Sequence, residues 1–181
     1  MPPTPRNRGF RGDPGTGVKP PFEVLYRDFV NRIYAYVRAQ VGSQADAEDV
    51  TSQVFIKAWE AYPRFEPQGA TPASWLFRIA RNAAVDHLRS SNRKDRLARA
   101  IAHEPAELED PAYMATERLQ HGELMILVEA LPERQREAIS LRHSGLSFLE
   151  VGVIMGSSED AAKMLYHRAL RALRTAVEAA G

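Results

Sequence analysis

The 181-residue chain contains no cysteine. That absence excludes disulfides, thiolate metal sites and a thiol redox sensor within the chain. An excess of one charge is missing too: 24 Lys and Arg against 23 Asp and Glu leave a net charge of +1. Attraction to a polyanion must therefore come from local clustering. No apolar run approaches the roughly 20 residues of a membrane-spanning helix. The N-terminus, MPPTPRNRGFRGDPGTG, lacks the apolar core of a signal peptide. A soluble, cytoplasmic protein with no membrane insertion is expected.

Signatures of catalysis are also absent. His87, His103, His121, His143 and His167 never stand at metal-ligand spacing. There is no Gly-rich phosphate loop and no G-x-S-x-G nucleophile turn. Asp46, Glu48 and Asp49 cluster, but as a solvated helix face or partner surface rather than an acid/base pair. The chain is read as no enzyme, with no catalytic residue, no metal and no cofactor. Nor does any segment alternate with the period of a strand, so the fold class is all-α.

The apolar content, 44%, suits one core or two small ones. Residues 1–20 are rich in Pro, Gly and Arg and read as a disordered basic tail carrying Arg6, Arg8, Arg11 and Lys19. From Phe22, apolar residues recur at spacings of three and four through Leu25, Tyr26, Phe29, Ile33, Tyr34, Val37 and Val41, the stripe of a buried helix. Gly42 stops it, and Ser43 can cap a second helix over about 44–62, which Pro63 ends. A loop, 64–71, leads to PASWLFRIARNAAVDHLR at 72–89.

That stretch organises the rest. Leu76, Phe77, Ile79, Ala80, Ala83, Ala84 and Leu88 fall on one face at about 100° per residue. Arg78, Arg81, Asn82 and Arg89 gather on the other, with Trp75 among them. Thr71 can cap this helix, and Pro72 suits its first position. Guanidinium groups suit phosphates, an amide suits base edges, and an indole can stack on an unpaired base. A solvated amphipathic helix with a half-buried Trp fits the same pattern.

Beyond it, Arg93, Lys94, Arg96 and Arg99 extend the basic run, and an acidic stretch over 100–112 around Pro105 and Pro111 reads as a linker. Helical pattern resumes with AYMATERLQHGELMILVEAL, burying Leu119, Leu124, Leu127, Val128 and Leu131. PERQREAISLRH follows, closed by Ser144-Gly145. The last two segments have the proportions of a helix-turn-helix. Ser147 with Glu150 makes a capping box, Gly156-Ser157-Ser158 supplies the turn, and Ser157 with Asp160 repeats the capping pattern. A recognition helix entering the major groove would bring Ser158, Glu159, Asp160 and Lys163 nearest the bases. His167, Arg168 and Arg171 would lie nearer phosphates. A charged helical hairpin is the plain alternative.

Three blocks in order, DAEDVTSQVFIKAWEAYPRF (46–65), PASWLFRIARNAAVDHLR (72–89) and LPERQREAISLRHSGLSFLEVGVIMG (131–156), strongly resemble the extracytoplasmic-function (ECF) sigma factors of the sigma-70 superfamily. The resemblance implies two small helical domains on a flexible linker. A region 2-like domain of three to four helices would span 21–92, a linker 93–114, and a region 4-like helix-turn-helix domain 115–178. It implies core RNA polymerase, promoter DNA and an anti-sigma factor as partners. By that likeness, Asp46, Asp49, Gln53, Phe55 and Trp59 grip the polymerase clamp. Phe65, Ser74, Trp75, Arg78, Arg81, Asn82 and Arg89 capture an extruded base and hold the melted −10 strand. Ser158, Glu159, Asp160, Lys163, His167, Arg168 and Arg171 read the −35 duplex.

The chain departs from the family pattern in places. Ser52-Gln53 stands where Gln-Glu is frequent. Ala161-Ala162 replaces Thr-Val, Met164-Leu165 replaces Ser-Arg, and Gly152 replaces the usual Ala of the supporting helix. These positions bear on the −35 sequence read. The competing functions are an autonomous helix-turn-helix regulator, which would need a dimer on a two-fold site, and a helical protein-interaction module. The sigma reading requires that the arginines of 72–89 are not covered by a permanent internal partner.

Overall fold

A computed structural model describes residues 19–67, 70–101 and 124–180, with the side chains of 95–101 and 180 left out. Every regular element among them is helical, as the missing strand period implied. Helix α1 (Phe22–Val41) buries Leu25, Phe29, Ile33, Tyr36 and Val37. Gly42 ends it in the left-handed region at φ 76°, its N–H closing on the Arg38 carbonyl. Ser43 then caps α2 (Gln44–Ala61), accepting from the Asp46 N–H at 3.3 Å. A 3-10 turn, Tyr62–Arg64, carries the chain towards α3 (Pro72–Ile101).

Helices α1, α2 and α3 close one core around Phe29, Ile33, Val37, Val50, Val54, Leu76, Phe77 and Ala80. Each large apolar side chain fully buried there is worth about 1.5–3 kcal/mol. Tyr36 meets Phe77 edge-on at 5.7 Å, binding α1 to α3. Helix α3 runs past the expected domain boundary at 92 and is still helical at 101. Thus 93–101 continue the helix, while the rest of the proposed linker lies outside the described residues.

In the second body, residues 124–129 are helical and are labelled α4. Leu131 is buried as expected, and Leu127 and Val128 are half-buried. Leu124 is exposed, against expectation; Leu119 lies outside the described residues. Helices α5 (Glu133–His143), α6 (Phe148–Met155) and α7 (Glu159–Ala180) follow. Ala138, Leu141, Leu146, Val151, Ile154, Met155 and Ala162 fill their core. That core is continuous with the first, for α5 packs on α1 and α6 on α3. The two bodies therefore lie against each other. No helix of the described residues is long and apolar enough to cross a membrane.

Candidate nucleic-acid interface

The start of α3 is built by its cap. Thr71 Oγ1 accepts from the Ser74 N–H at 3.1 Å, and the Ser74 hydroxyl donates back to the Thr71 carbonyl at 3.1 Å. Ser74 is therefore buried and spends its side chain on the helix end. The 3-10 turn sets Tyr62 beside Phe65, their rings stacked at 6.1 Å and 19°. Phe65 in turn lies 4.6 Å from Trp75. Because Phe65 is buried, it acts as the back of this ledge, and Trp75, half-buried like Tyr62, reaches solvent. The expectation that Phe65 and Ser74 themselves face a strand is corrected accordingly.

Below Trp75, at helical spacing, come Arg78, Asn82 and Arg89, all exposed. Among the described residues neither Arg78 nor Arg89 makes an ion pair. Arg81 differs. Its Nε donates to the Glu137 carboxylate of α5, a side chain only 8% exposed. That hydrogen bond raises the Arg81 pKa above its ordinary value; burial opposes the rise and the carboxylate's charge reinforces it. Beneath the pair, burial first and the Glu137 charge second push the Tyr36 phenol far up, with Arg81 opposing. One of the four cationic or amide groups of this face is thus covered by the second body.

On α2, Asp49, Gln53 and Trp59 are exposed, Trp59 at 58%. Asp46 is half-buried and sits 3.5 Å from the His87 imidazole. Phe55, expected at this surface, is instead buried and meets Tyr26 edge-on at 4.8 Å. The surface gains two residues that the sequence reading missed: Ile56, exposed at 59%, and Tyr26, at 47%. Ile56 stood between Gln53 and Glu60 on the polar side of α2, which was the available signal. Tyr26 was hidden by its place in the apolar period of α1.

The helix-turn-helix is α6, a turn and α7. The Ser147–Glu150 capping box is fully formed. Gly156 makes the turn at φ 62°, in the left-handed region. The cap of α7 is shifted by one residue from the sequence reading: Ser158 Oγ accepts from the Ala161 N–H at 3.1 Å. Ser157 Oγ is buried with no hydrogen-bond partner among the described residues. Glu159, Asp160, His167, Arg168 and Arg171 are exposed. Lys163 is held by Glu159 at 2.8 Å and faces Asp160 at 3.8 Å, so its charge is locally balanced in the free chain.

The departures from family pattern acquire physical meaning here. Ala162 is fully buried and Leu165 packs against the core, so both are packing positions. Met164 is 56% exposed. A Cβ at Gly152 would lie 3.0 Å from the Ser157 and Ser158 carbonyl oxygens, so the turn approaches the supporting helix too closely for an easy Ala.

Comparison with known proteins agrees with this architecture. Residues 25–94 match Sigma-70 region 2 and residues 121–173 match Sigma-70, region 4. The ECF RNA polymerase sigma factor BldN of Streptomyces coelicolor is 35% identical over 154 residues, covering 84% of this chain and 58% of that protein. The ECF RNA polymerase sigma factor SigE of Mycolicibacterium smegmatis is 28% identical over 158 residues, 86% of this chain and 61% of its own. This chain thus spans about three fifths of the length of those two relatives. SigD of Mycobacterium tuberculosis, another ECF sigma factor, is 33% identical, with 82% of this chain and 73% of SigD covered. Among solved structures, the sigma factor RpoE of Bartonella quintana, in complex with the anti-sigma factor NepR, superposes with a TM-score of 0.71 at 25% identity, covering 87% and 96% of the two chains. CnrH, in complex with the cytosolic domain of CnrY, shares the fold at a TM-score of 0.67 and 24% identity, covering 88% and 89%.

Proposed function

We propose, from the fact that this chain belongs to the ECF sigma factors of the sigma-70 family, that it directs core RNA polymerase to particular promoters and helps to melt them. It works as a non-enzymatic cytoplasmic subunit, with chemistry left to the polymerase. The observation that carries the reading is the front of α3, where a half-buried indole on an aromatic ledge precedes exposed Arg78, Asn82 and Arg89. An unstacked base needs an aromatic surface and an edge-reading group, while guanidinium groups hold the backbone. Trp75 and Asn82 take the first two tasks, Arg78 and Arg89 the third, with Phe65 and Ser74 supporting them from behind. Arg81 joins the strand contact once Glu137 releases it.

Asp49, Gln53, Ile56, Trp59 and Tyr26 form the surface offered to polymerase, with Asp46 at its margin. Ser158, Glu159, Asp160, Lys163, His167, Arg168 and Arg171 make the −35 reader. An anti-sigma factor is the expected inhibitor, since the Bartonella relative is bound to one. The test is initiation in vitro: adding the purified chain to core polymerase should produce transcripts from a defined start on a genomic promoter library. No association with core and no defined start would sink the reading. Tight, sequence-specific binding by a dimer of the isolated chain would favour the autonomous regulator instead.

A further inference from the structure

The chain enters α1 against the ledge that Tyr62, Phe65 and Trp75 form. Phe22, the first residue of α1, meets the Tyr62 ring edge-on at 5.2 Å. The Tyr62 hydroxyl donates to the Pro20 carbonyl. Lys19 Nζ donates to the Tyr62 carbonyl and stands 4.4 Å from the centre of the Tyr62 ring, within cation–π range. Pro20 and Pro21 restrict φ on the way into the helix, so the backbone holds Lys19 at this place. Half-buried Lys19 makes no ion pair among the described residues, and neither does exposed Arg64 on the same turn as Tyr62. An ammonium group has three donors, and the Tyr62 carbonyl takes one.

We propose that the segment before α1 is a second strand-binding element: Lys19 holds the phosphate beside the base stacked on the ledge, and Arg6, Arg8 and Arg11 follow the backbone beyond it. The proposal rests on the reading of the ledge as the seat of an unpaired base. Tyr62 lies 6.1 Å from Trp75, so the Lys19 ammonium stands one ring away from the stacking surface. A nucleotide lying there brings its phosphate to a cation that no carboxylate neutralises. Upstream, residues 1–18 carry Arg6, Arg8 and Arg11 against a single acid, Asp13. At ~3.5 Å per residue, the stretch from Lys19 back to Arg11 spans at most ~28 Å, enough to pass several nucleotides. Phosphate contacts carry no sequence information. The arm therefore adds affinity and salt dependence without changing which bases are read. A chain of net charge +1 thereby gathers four cations at one edge of its strand-binding face.

The test uses the full chain joined to core polymerase, on a pre-melted promoter recovered from the library. Each phosphate contact to a single strand is worth about 0.7 in the slope of log affinity against log salt. Lys19→Ala should reduce that slope by roughly 0.7, and the triple variant Arg6→Ala/Arg8→Ala/Arg11→Ala by roughly 2. Lys19→Arg should keep it. A Lys19 that merely propped the ledge would lower affinity at every salt concentration and leave the slope alone. Benzoylphenylalanine in place of Phe10 should cross-link to the promoter strand on illumination. An unchanged slope in either alanine variant, or cross-links to polymerase alone, overturns the proposal and leaves the ledge reading intact. Trp75→Ala tests that reading separately: it should weaken binding with the slope unchanged, and full affinity in this variant would sink the reading on which the arm depends.

Discussion

Thr71 and Glu150 share a hydrogen bond of 2.6 Å that ties the cap of α3 to the capping box of the helix-turn-helix. Thr71 Oγ1 accepts the Ser74 N–H while donating to Glu150 Oε1. Glu150 Oε2 accepts the Ser147 N–H at 2.8 Å and the Ser147 hydroxyl at 2.9 Å. One carboxylate therefore finishes the N-terminus of α6 and steadies the start of α3.

This node predicts an acid-sensitive seam. Burial opposes ionisation of Glu150, but the bonds from Thr71 and Ser147 and the charge of Arg32 outweigh it, so its carboxyl sits below the ordinary glutamate range. A depressed folded-state pKa contributes stability that is full above the unfolded value of about 4.3 and lost as pH falls through the folded one. Thermal midpoints should thus decline below about pH 4.3, and Glu150→Gln should flatten that acid limb while lowering the midpoint at pH 7. An acid limb identical in the two proteins would remove Glu150 from the node.

Gly152→Ala should destabilise the second body. The added methyl would meet backbone atoms of Ser157 and Ser158 at 3.0 Å, and these belong to a turn pinned by the Ser157 N–H to Gly152 carbonyl bond at 2.8 Å. Crowding of this kind costs about 1–3 kcal/mol. Urea unfolding at constant m-value would measure it; a gain in stability would show that the turn yields freely.

Two adjacent serines should behave oppositely. Ser158→Ala removes the cap of α7 and should cost about 1 kcal/mol, read as a lower urea midpoint. Ser157→Ala deletes a buried hydroxyl that has no partner among the described residues and should be neutral or stabilising. The reverse order would return the cap to Ser157.

Much of this arrangement was legible beforehand. Gly42, Ser43, Thr71 and the Ser147–Glu150 box act locally, so a few neighbouring letters suffice to place them. The buried face of α3 likewise followed from its period. What escaped the reading depends on contacts distant in sequence. Arg81 looked equivalent to Arg78 and Arg89 until Glu137, 56 positions away, was brought against it. Phe65 and Ser74 looked like presented groups because a periodicity cannot tell the ring that reaches solvent from the one that backs it. The cap at Ser158 rather than Ser157 was a tie between two adjacent serines, broken only by the geometry of the Gly156 turn.

The arginines of α3 predict a change in salt dependence. Arg78→Ala and Arg89→Ala should each reduce the slope of log affinity against log salt by roughly 0.7 on a single-stranded −10 oligonucleotide. Both residues are exposed, so stability should hardly move. An unchanged slope in either variant would remove that residue from the phosphate contacts.

Trp75 should matter to melting rather than to docking. Its ring is braced by Phe65 at 4.6 Å and Tyr62 at 6.1 Å, so it offers a stiff surface at little entropic cost. Duplex DNA offers that surface no unstacked base, and an extruded base gains about 1–3 kcal/mol on an aromatic ring. In assays with core polymerase, Trp75→Ala should leave closed-complex affinity within about twofold and slow strand opening by roughly tenfold or more, the rate equivalent of the lost stacking. Trp75→Phe should recover part of the rate because it keeps a ring on the same ledge. A pre-melted template should rescue Trp75→Ala only partly, since the base still lacks its platform. Equal loss at docking and opening would assign Trp75 to holding the ledge together, and a thermal midpoint lowered in parallel would confirm that structural role.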